Sequence, residues 1–200
     1  MSSLRMKTSS RKHAEARLRE ALQRQIRVLA SKQFWAEKTS PAGRRNRNLG
    51  IDITWVTERI GLGGGIWTAA NMAEVARAGI THIIDMQVEF DDTPLAEVHG
   101  IQVLWNPTDD DFQPKPPDLF QRGVDFAQEA LEDENAKVFI HCAAGVHRAA
   151  MMTLALLCSQ GWELDDAMQT ISARRPVVDF AEVYVNSVEQ FLQQQVRAGD

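Results

Sequence analysis

"FIHCAAGVHRAAMM", residues 139–152, joins two patterns that together decide the fold. It begins inside "AKVFI" (136–140), a short apolar run that reads as a buried strand. It ends in Arg148–Gln160, an apolar run long enough for a helix. Between them stand His141 and Cys142, four small or apolar residues including Gly145, then His147 and Arg148. Working outward, the chain keeps alternating. "DITWVTERIGLG" (52–63) is strand-like and "TAANMAEVARAG" (68–79) has helical spacing. "THIIDM" (81–86) and "GIQVLWN" (100–106) are short strands, and "PDLFQRGVDFAQEALEDE" (117–134) is a helix with Leu119, Phe120, Val124, Phe126 and Leu131 as its apolar members. Two further helices are expected over Leu164–Ser172 and about residues 180–196. Strands alternating with helices predict an α/β domain with a mostly parallel central sheet flanked by helices.

Composition bounds the rest. Two hundred residues, 44% of them hydrophobic, suit one domain with an extension. The longest apolar runs, such as Ala149–Cys158, fall far short of the ~20 residues a membrane span needs. No apolar stretch follows the basic N-terminus, so no signal peptide is expected. Cys142 and Cys158 make no disulfide framework, which points to a reducing, cytoplasmic setting. Residues 1–50 hold 13 Lys/Arg against three Glu, a charge of +10, whereas the remainder carries −15, giving the net −5. Ala14, Leu18, Leu22, Ile26 and Leu29 recur at helical spacing, so residues 10–37 read as a basic amphipathic helix. "PAGRRNRN" (41–48) reads as a linker. The expected division is a basic helical extension over 1–50 and the α/β domain over 51–200. The extension suits a contact with an anionic surface or partner, or simply packing against its own acidic domain.

Ligands of such sheets bind outside the carboxyl ends of the strands. His141 and Cys142 stand at one of these ends. The small residues Ala143, Ala144, Gly145 and Val146 let successive backbone N–H groups turn into one concavity at a helix N-terminus, which suits an anion. The same field favours thiolate at Cys142. Arg148 adds a planar fork able to grip two oxygens of a phosphate. His141 is placed to orient the loop by a hydrogen bond, and His147 either narrows the pocket or adds a titrating donor near the anion. A thiolate, an N–H cradle and a guanidinium fork together describe phosphoryl transfer to cysteine. Cys158, within the apolar helix, reads as a small hydrophobe.

"HCAAGVHR" resembles the His-Cys-x5-Arg signature of cysteine-dependent protein tyrosine phosphatases, and the sequence around it, over roughly residues 51–195, looks like the dual-specificity branch. The resemblance implies a phosphatase-type fold, Cys142 as nucleophile, Arg148 and the 143–148 loop as phosphate cradle, a phosphocysteine intermediate, and neither metal nor cofactor. It also implies a general acid about thirty residues before the cysteine, which protonates the leaving oxygen. "WNPTDDDFQPKPP" (105–117) offers Asp109, Asp110 and Asp111. Spacing favours Asp110, while Asp111 directly precedes Phe112, as in several relatives. Crowding of like charges is expected to raise one of their pKa values.

Two positions depart from the usual pattern. Ala149 stands where a Ser or Thr hydroxyl commonly helps the thiolate leave, although regenerating-liver and plant glucan phosphatases also have Ala there. His147 stands where Gly or Ser is frequent. The expected activity is hydrolysis of phosphate monoesters, first of all phosphotyrosine, phosphoserine or phosphothreonine in proteins. The alternatives are a non-protein substrate (phosphoglucan, phosphoinositide or an RNA 5′-phosphate) and a catalytically weak module that binds phosphorylated partners. Elsewhere, "GLGGG" (61–65) reads as a turn, Asp91–Asp92 as a solvated face, and Arg174-Arg175-Pro176 as a helix end.

Overall fold

The computed structural model describes residues 50–199. The amphipathic helix and linker expected before residue 49 lie outside the described residues. Ile53–Trp55 forms β1 and Ile60–Gly63 forms β2, an antiparallel pair in which Thr54 faces Leu62. "DITWVTERIGLG" is therefore a hairpin rather than one strand. The Thr57 hydroxyl accepts hydrogen bonds from the N–H groups of Arg59 and Ile60 and closes the turn. The chain then alternates as expected: α1 (Ala69–Arg77), β3 (His82–Asp85), a short α2 (Thr93–Ala96), β4 (Gln102–Trp105), α3 (Pro117–Leu131) and β5 (Val138–His141). Helices α4 (Arg148–Ser159), α5 (Leu164–Arg174) and α6 (Glu182–Gly199) complete it.

The five strands lie in the order β1-β2-β5-β3-β4, with every pairing after the first parallel. Register sets Gly63 and Asp85 on either side of His141, and Trp105 beside Asp85. The carboxyl ends of all four parallel strands thus form one row, the place where such sheets bind ligands.

Helices cover both faces. On one side Ile66, Met72, Val75, Ile80, Ile83, Ala96, Ile101 and Phe139 form a buried cluster under α1 and α2. Thr68 caps α1 by accepting the Asn71 N–H at 3.1 Å, worth about 1 kcal/mol. On the other side α4 is buried from Arg148 to Leu157, packed among α3, α5, α6 and the strands β2 and β5. Its largely apolar sequence between Arg148 and Ser159 follows from that central position. Two-residue alternation along β5 puts Phe139 and His141 on the α1 side, their rings stacked at 5.2 Å. Among the described residues no helix is long and apolar enough to cross a membrane.

Candidate active site

Cys142 follows β5 and lies at the floor of the loop, 1% exposed. What shapes the loop is the fate of its carbonyls. Gly65 N–H donates to Ala143 O at 3.2 Å. Arg175 Nη2 donates to Ala144 O at 3.1 Å and its Nε to Gly145 O at 2.8 Å. Asp179 N–H donates to Val146 O at 3.2 Å. Four consecutive carbonyls are drawn outward. In a trans peptide the next N–H points the opposite way, so the N–H groups of residues 144 to 147 turn inward. The Gly145 N–H reaches Cys142 Sγ at 3.3 Å. Gly145 itself has φ +64, and a Cβ there would meet the Gly63 carbonyl at 2.5 Å.

That contact explains "GLGGG". Gly61 and Gly63 belong to strand β2, not to a turn. A Cβ on Gly63 would lie 1.8 Å from Asp52 O. The glycines let β2, the residue before β1 and the phosphate-loop candidate approach backbone to backbone. Arg175 does more than end α5: its fork pairs with both Asp52 oxygens at 2.9 Å while its other edge holds the loop. Neither Asp52 nor Arg175 carries a local sequence signal for this role, because they are 123 residues apart.

Arg148 points into the crevice, 3% exposed. Its two terminal nitrogens donate to the two Glu89 oxygens, each at 2.9 Å, and Nη1 also approaches Thr108 O at 3.3 Å. Its buried Nε has no partner among the described residues. A buried N–H donor left unpaired at a concavity of N–H groups fits an anionic oxygen. Burial alone would lower the arginine's pKa and raise that of Glu89. The fork–fork pair outweighs it, holding Arg148 above and Glu89 below the usual values. Glu89 escaped the sequence reading. The available signal was an acid just past the carboxyl end of a strand that flanks β5.

His141 does not make the hydrogen bond expected of it. Among the described residues neither ring nitrogen has a hydrogen-bond partner; Nε2 lies 3.0 Å from Asp92 Oδ2 and 3.8 Å from Asp85 Oδ1. Strand alternation puts the ring on the α1 side with Phe139, next to Asp92 and Asp85. Asp92, expected on a solvated face, is fully buried, drawn in where the chain enters α2 and its N–H meets Asp85 Oδ2. Burial pushes the Asp85 carboxyl up to about 6, against the pull of His141. Asp85, Asp92 and His141 bring three potential ligand atoms within 4.8 Å of one another.

The acidic loop separates its three aspartates. Asp109 is exposed. Asp111 turns outward to Lys115 Nζ at 2.6 Å. Asp110 turns inward: Oδ2 lies 3.0 Å from His147 Nδ1, and Oδ1 accepts the Tyr184 hydroxyl at 3.1 Å. The loop is fastened to α6 by Phe112 N–H to the Tyr184 oxygen at 2.9 Å and Lys115 N–H to Ser187 Oγ at 3.0 Å. The pKa rise expected from crowding does not occur at Asp110. Burial would raise it, but hydrogen bonds and charge from His147, Arg148 and Tyr184 hold it below the usual carboxylate range. Burial would raise Asp111 too, but the hydrogen bond and charge of Lys115, with the Gln113 N–H, hold it below the usual carboxylate value. His147 also meets Asp179 Oδ2, 3.3 Å from Nε2. Burial opposes its charge; the two carboxylates prevail and hold its pKa above the ordinary imidazole value. Cys158, on the far part of α4, is pushed up to about 11 by burial, unsuited to nucleophilic work.

Relatives share this arrangement of elements. The chain is 32% identical over 113 residues to dual specificity protein phosphatase 26 of Rattus norvegicus, covering 55% of this chain and 54% of that protein. It is 30% identical over 118 residues to protein phosphatase Slingshot homolog 3 of the same organism, covering 58% of this chain and 17% of that protein. The chain thus spans about half or less of these relatives. Among solved structures, Tk-PTP in its active form superposes with a TM-score of 0.63 at 20% identity, covering 72% of this chain and 97% of that one. Human DUSP28 superposes with 0.60 at 20% identity, covering 72% and 94%. These structural likenesses carry the fold. Residues 65–194 match the family described as dual specificity phosphatase, catalytic domain, and the chain belongs to that family.

Proposed function

We propose that this domain hydrolyses phosphate monoesters through a phosphocysteine at Cys142, with phosphotyrosine, phosphoserine or phosphothreonine in proteins as substrate. The observation that carries it is the outward anchoring of four consecutive loop carbonyls beside Cys142, together with an Arg148 Nε–H that is unpaired among the described residues. Inward N–H groups meet the equatorial oxygens, and Arg148 clamps the phosphoryl group as it transfers. The thiolate attacks phosphorus, the ester oxygen leaves with the proton delivered through Asp110, and water then hydrolyses the S–P bond. Asp110 is assigned over Asp111 because it alone of the two faces the loop.

One observation favours a second reading, a non-protein substrate such as a phosphoglucan, phosphoinositide or RNA 5′-phosphate. Trp67 and Phe90 are each 38% exposed with ring centroids 6.2 Å apart, and Phe90 adjoins Glu89, the partner of Arg148. An exposed aromatic pair beside the crevice offers a face to a ring-bearing substrate. The assignment also includes a domain beginning near residue 51, a basic extension that contacts an anionic surface or partner, and a reducing, cytoplasmic setting suited to the two free cysteines. The test is turnover of 4-nitrophenyl phosphate by wild type and by Cys142→Ser, followed by phosphate release from phosphopeptides, phosphoinositides, phosphoglucans and RNA. Turnover lost in Cys142→Ser is expected. No turnover by wild type leaves a phospho-binding module, and turnover within tenfold in the variant overturns the nucleophile.

A further inference from the structure

His147 sits between two carboxylates, one on each ring nitrogen: Asp110 at 3.0 Å and Asp179 at 3.3 Å. A neutral imidazole has one N–H and would turn a lone pair toward one of these carboxylates. Only the imidazolium donates to both. The ring is fixed in that position by the edge of Phe112, with centroids 5.0 Å apart, and flanked by Tyr184. The Asp110 carboxylate is correspondingly committed as an acceptor, taking a hydrogen bond on each oxygen. The group placed to protonate the leaving oxygen therefore holds no proton in the resting site, and its neighbour holds one.

We propose that His147 is the proton store of this active site: it keeps the leaving-group proton on Nδ1 and passes it to Asp110 during phosphoryl transfer. This rests on the phosphatase reading above and adds a positioning residue to it. The balance is closed. A phosphate dianion arriving beside Asp110 raises that carboxylate's affinity for a proton by like-charge repulsion, and the Nδ1 proton moves across the hydrogen bond to Oδ2. The Cys142 thiolate pair forms the S–P bond as the P–O bond breaks. The departing oxygen keeps that bond's pair and takes the proton from the Asp110 carboxyl. Imidazolium has become imidazole and the alcohol is free. In the second step water attacks phosphorus, gives its proton back to Asp110 and thence to His147, and the S–P pair returns to sulfur.

The titratable groups facing His147 are Asp110 from the acidic loop and Asp179 from the segment before α6, with the Tyr184 hydroxyl of α6 acting through Asp110; Cys142 and Arg148 belong to the same loop, whose Ala144 and Gly145 carbonyls Arg175 holds. The two carboxylates act directly on the ring and favour its charge, in line with its raised pKa. Asp179 is half-exposed and lies on the ring nitrogen away from Asp110. It can bias the proton without touching substrate.

The experiment is the pH profile of kcat/KM for phenyl phosphate and for 4-nitrophenyl phosphate, on the full chain, in wild type, Asp179→Asn and His147→Gln. Both variants are expected to move the alkaline limb for phenyl phosphate to lower pH. Asp179→Asn weakens the hold on the proton, and His147→Gln leaves only the Asp110 carboxyl to carry it. His147→Gln is expected to lower kcat/KM for phenyl phosphate at neutral pH by about tenfold or more, with a much smaller loss for 4-nitrophenyl phosphate, whose leaving group needs little protonation. A limb that stays in place in both variants overturns the proposal while leaving the phosphatase reading intact. Loss of all wild-type turnover, or turnover surviving in Cys142→Ser, would instead remove that reading. Should His147→Gln fail to fold, the His147 imidazole resonance of the wild-type chain decides. Titration above the ordinary value of about 6.5 is expected, and titration below it overturns the store.

Discussion

Asp110 and Asp111 are adjacent in sequence and oppositely employed in space. Asp111 spends its carboxylate on Lys115, and Asp110 faces the loop that carries Cys142. Asp110→Ala should therefore lower turnover of alkyl phosphates by roughly 10²–10⁴, and of aryl phosphates with good leaving groups far less. Asp111→Ala should stay near wild type with both; a reversed pattern would move the acid by one residue. Spacing favours Asp110 without deciding it, because which of two neighbouring side chains turns inward depends on the remote residues His147 and Tyr184. Ala149 has a consequence of its own. It is fully buried at the start of α4 and offers no hydroxyl to the sulfur. A hydrogen bond to a charged group is worth about 1.5–3 kcal/mol, and ~1.4 kcal/mol is tenfold in rate. Hydrolysis of the phosphocysteine should be slow, with a burst of product before steady state. Ala149→Ser should shrink the burst and raise kcat more than kcat/KM. Rapid-quench kinetics without a burst, and an unchanged kcat in the variant, would show that another group already stabilises the leaving thiolate.

At the scale of elements, the loop is held by α5 as much as by β5 and α4. Arg175 ties Ala144 O and Gly145 O to Asp52, and so joins the end of α5 to the start of β1. Arg175→Ala leaves those carbonyls without their donor and removes the Asp52–Arg175 pair. The expected loss of stability is about 2–3 kcal/mol, discounted because Asp52 is partly exposed. KM should rise as the N–H groups lose their common direction. A urea midpoint and KM both unchanged would contradict this account of the loop. The elements themselves were largely legible: hydrophobic spacing places α1, β3, β4, α3, β5 and α4 within a few residues of where they stand. The hairpin at Thr57 was not, since a four-residue turn closed by a hydroxyl leaves the apolar pattern on both sides unbroken. Nor was the burial of Asp92. It depends on a strand face and an incoming helix meeting in space, and local sequence reports neither.

For the whole molecule, the site imposes opposite demands on stability at the two ends of the pH range. Glu89 and Asp110 have depressed pKa values, so the stability they contribute is present above the ordinary carboxylate range and is lost as pH falls through their folded values. His147 has a raised value, so its contribution is complete below about 6.5 and is lost as pH rises through its folded value. Asp85, raised to about 6, works against the fold as it ionises between about pH 4 and 6. Urea midpoints measured against pH should fall off on both sides of a maximum, and His147→Gln should flatten the alkaline side. An alkaline limb as steep in the variant as in wild type would assign that loss to another group. The general location of the site was legible at this scale, because a cysteine and an arginine at a strand–helix seam are local; Glu89, Asp179 and Arg175 were not, because the fold brings them in from elsewhere. The central claim is that Cys142 carries the phosphoryl group. Acid quenching of the protein within its first turnovers of labelled aryl phosphate, followed by peptide mapping, tests it most directly. The account predicts an acid-stable, iodine-labile thiophosphate on the peptide containing Cys142 and no label in Cys142→Ser. Label on another residue, or turnover without any covalent phosphate, would contradict it.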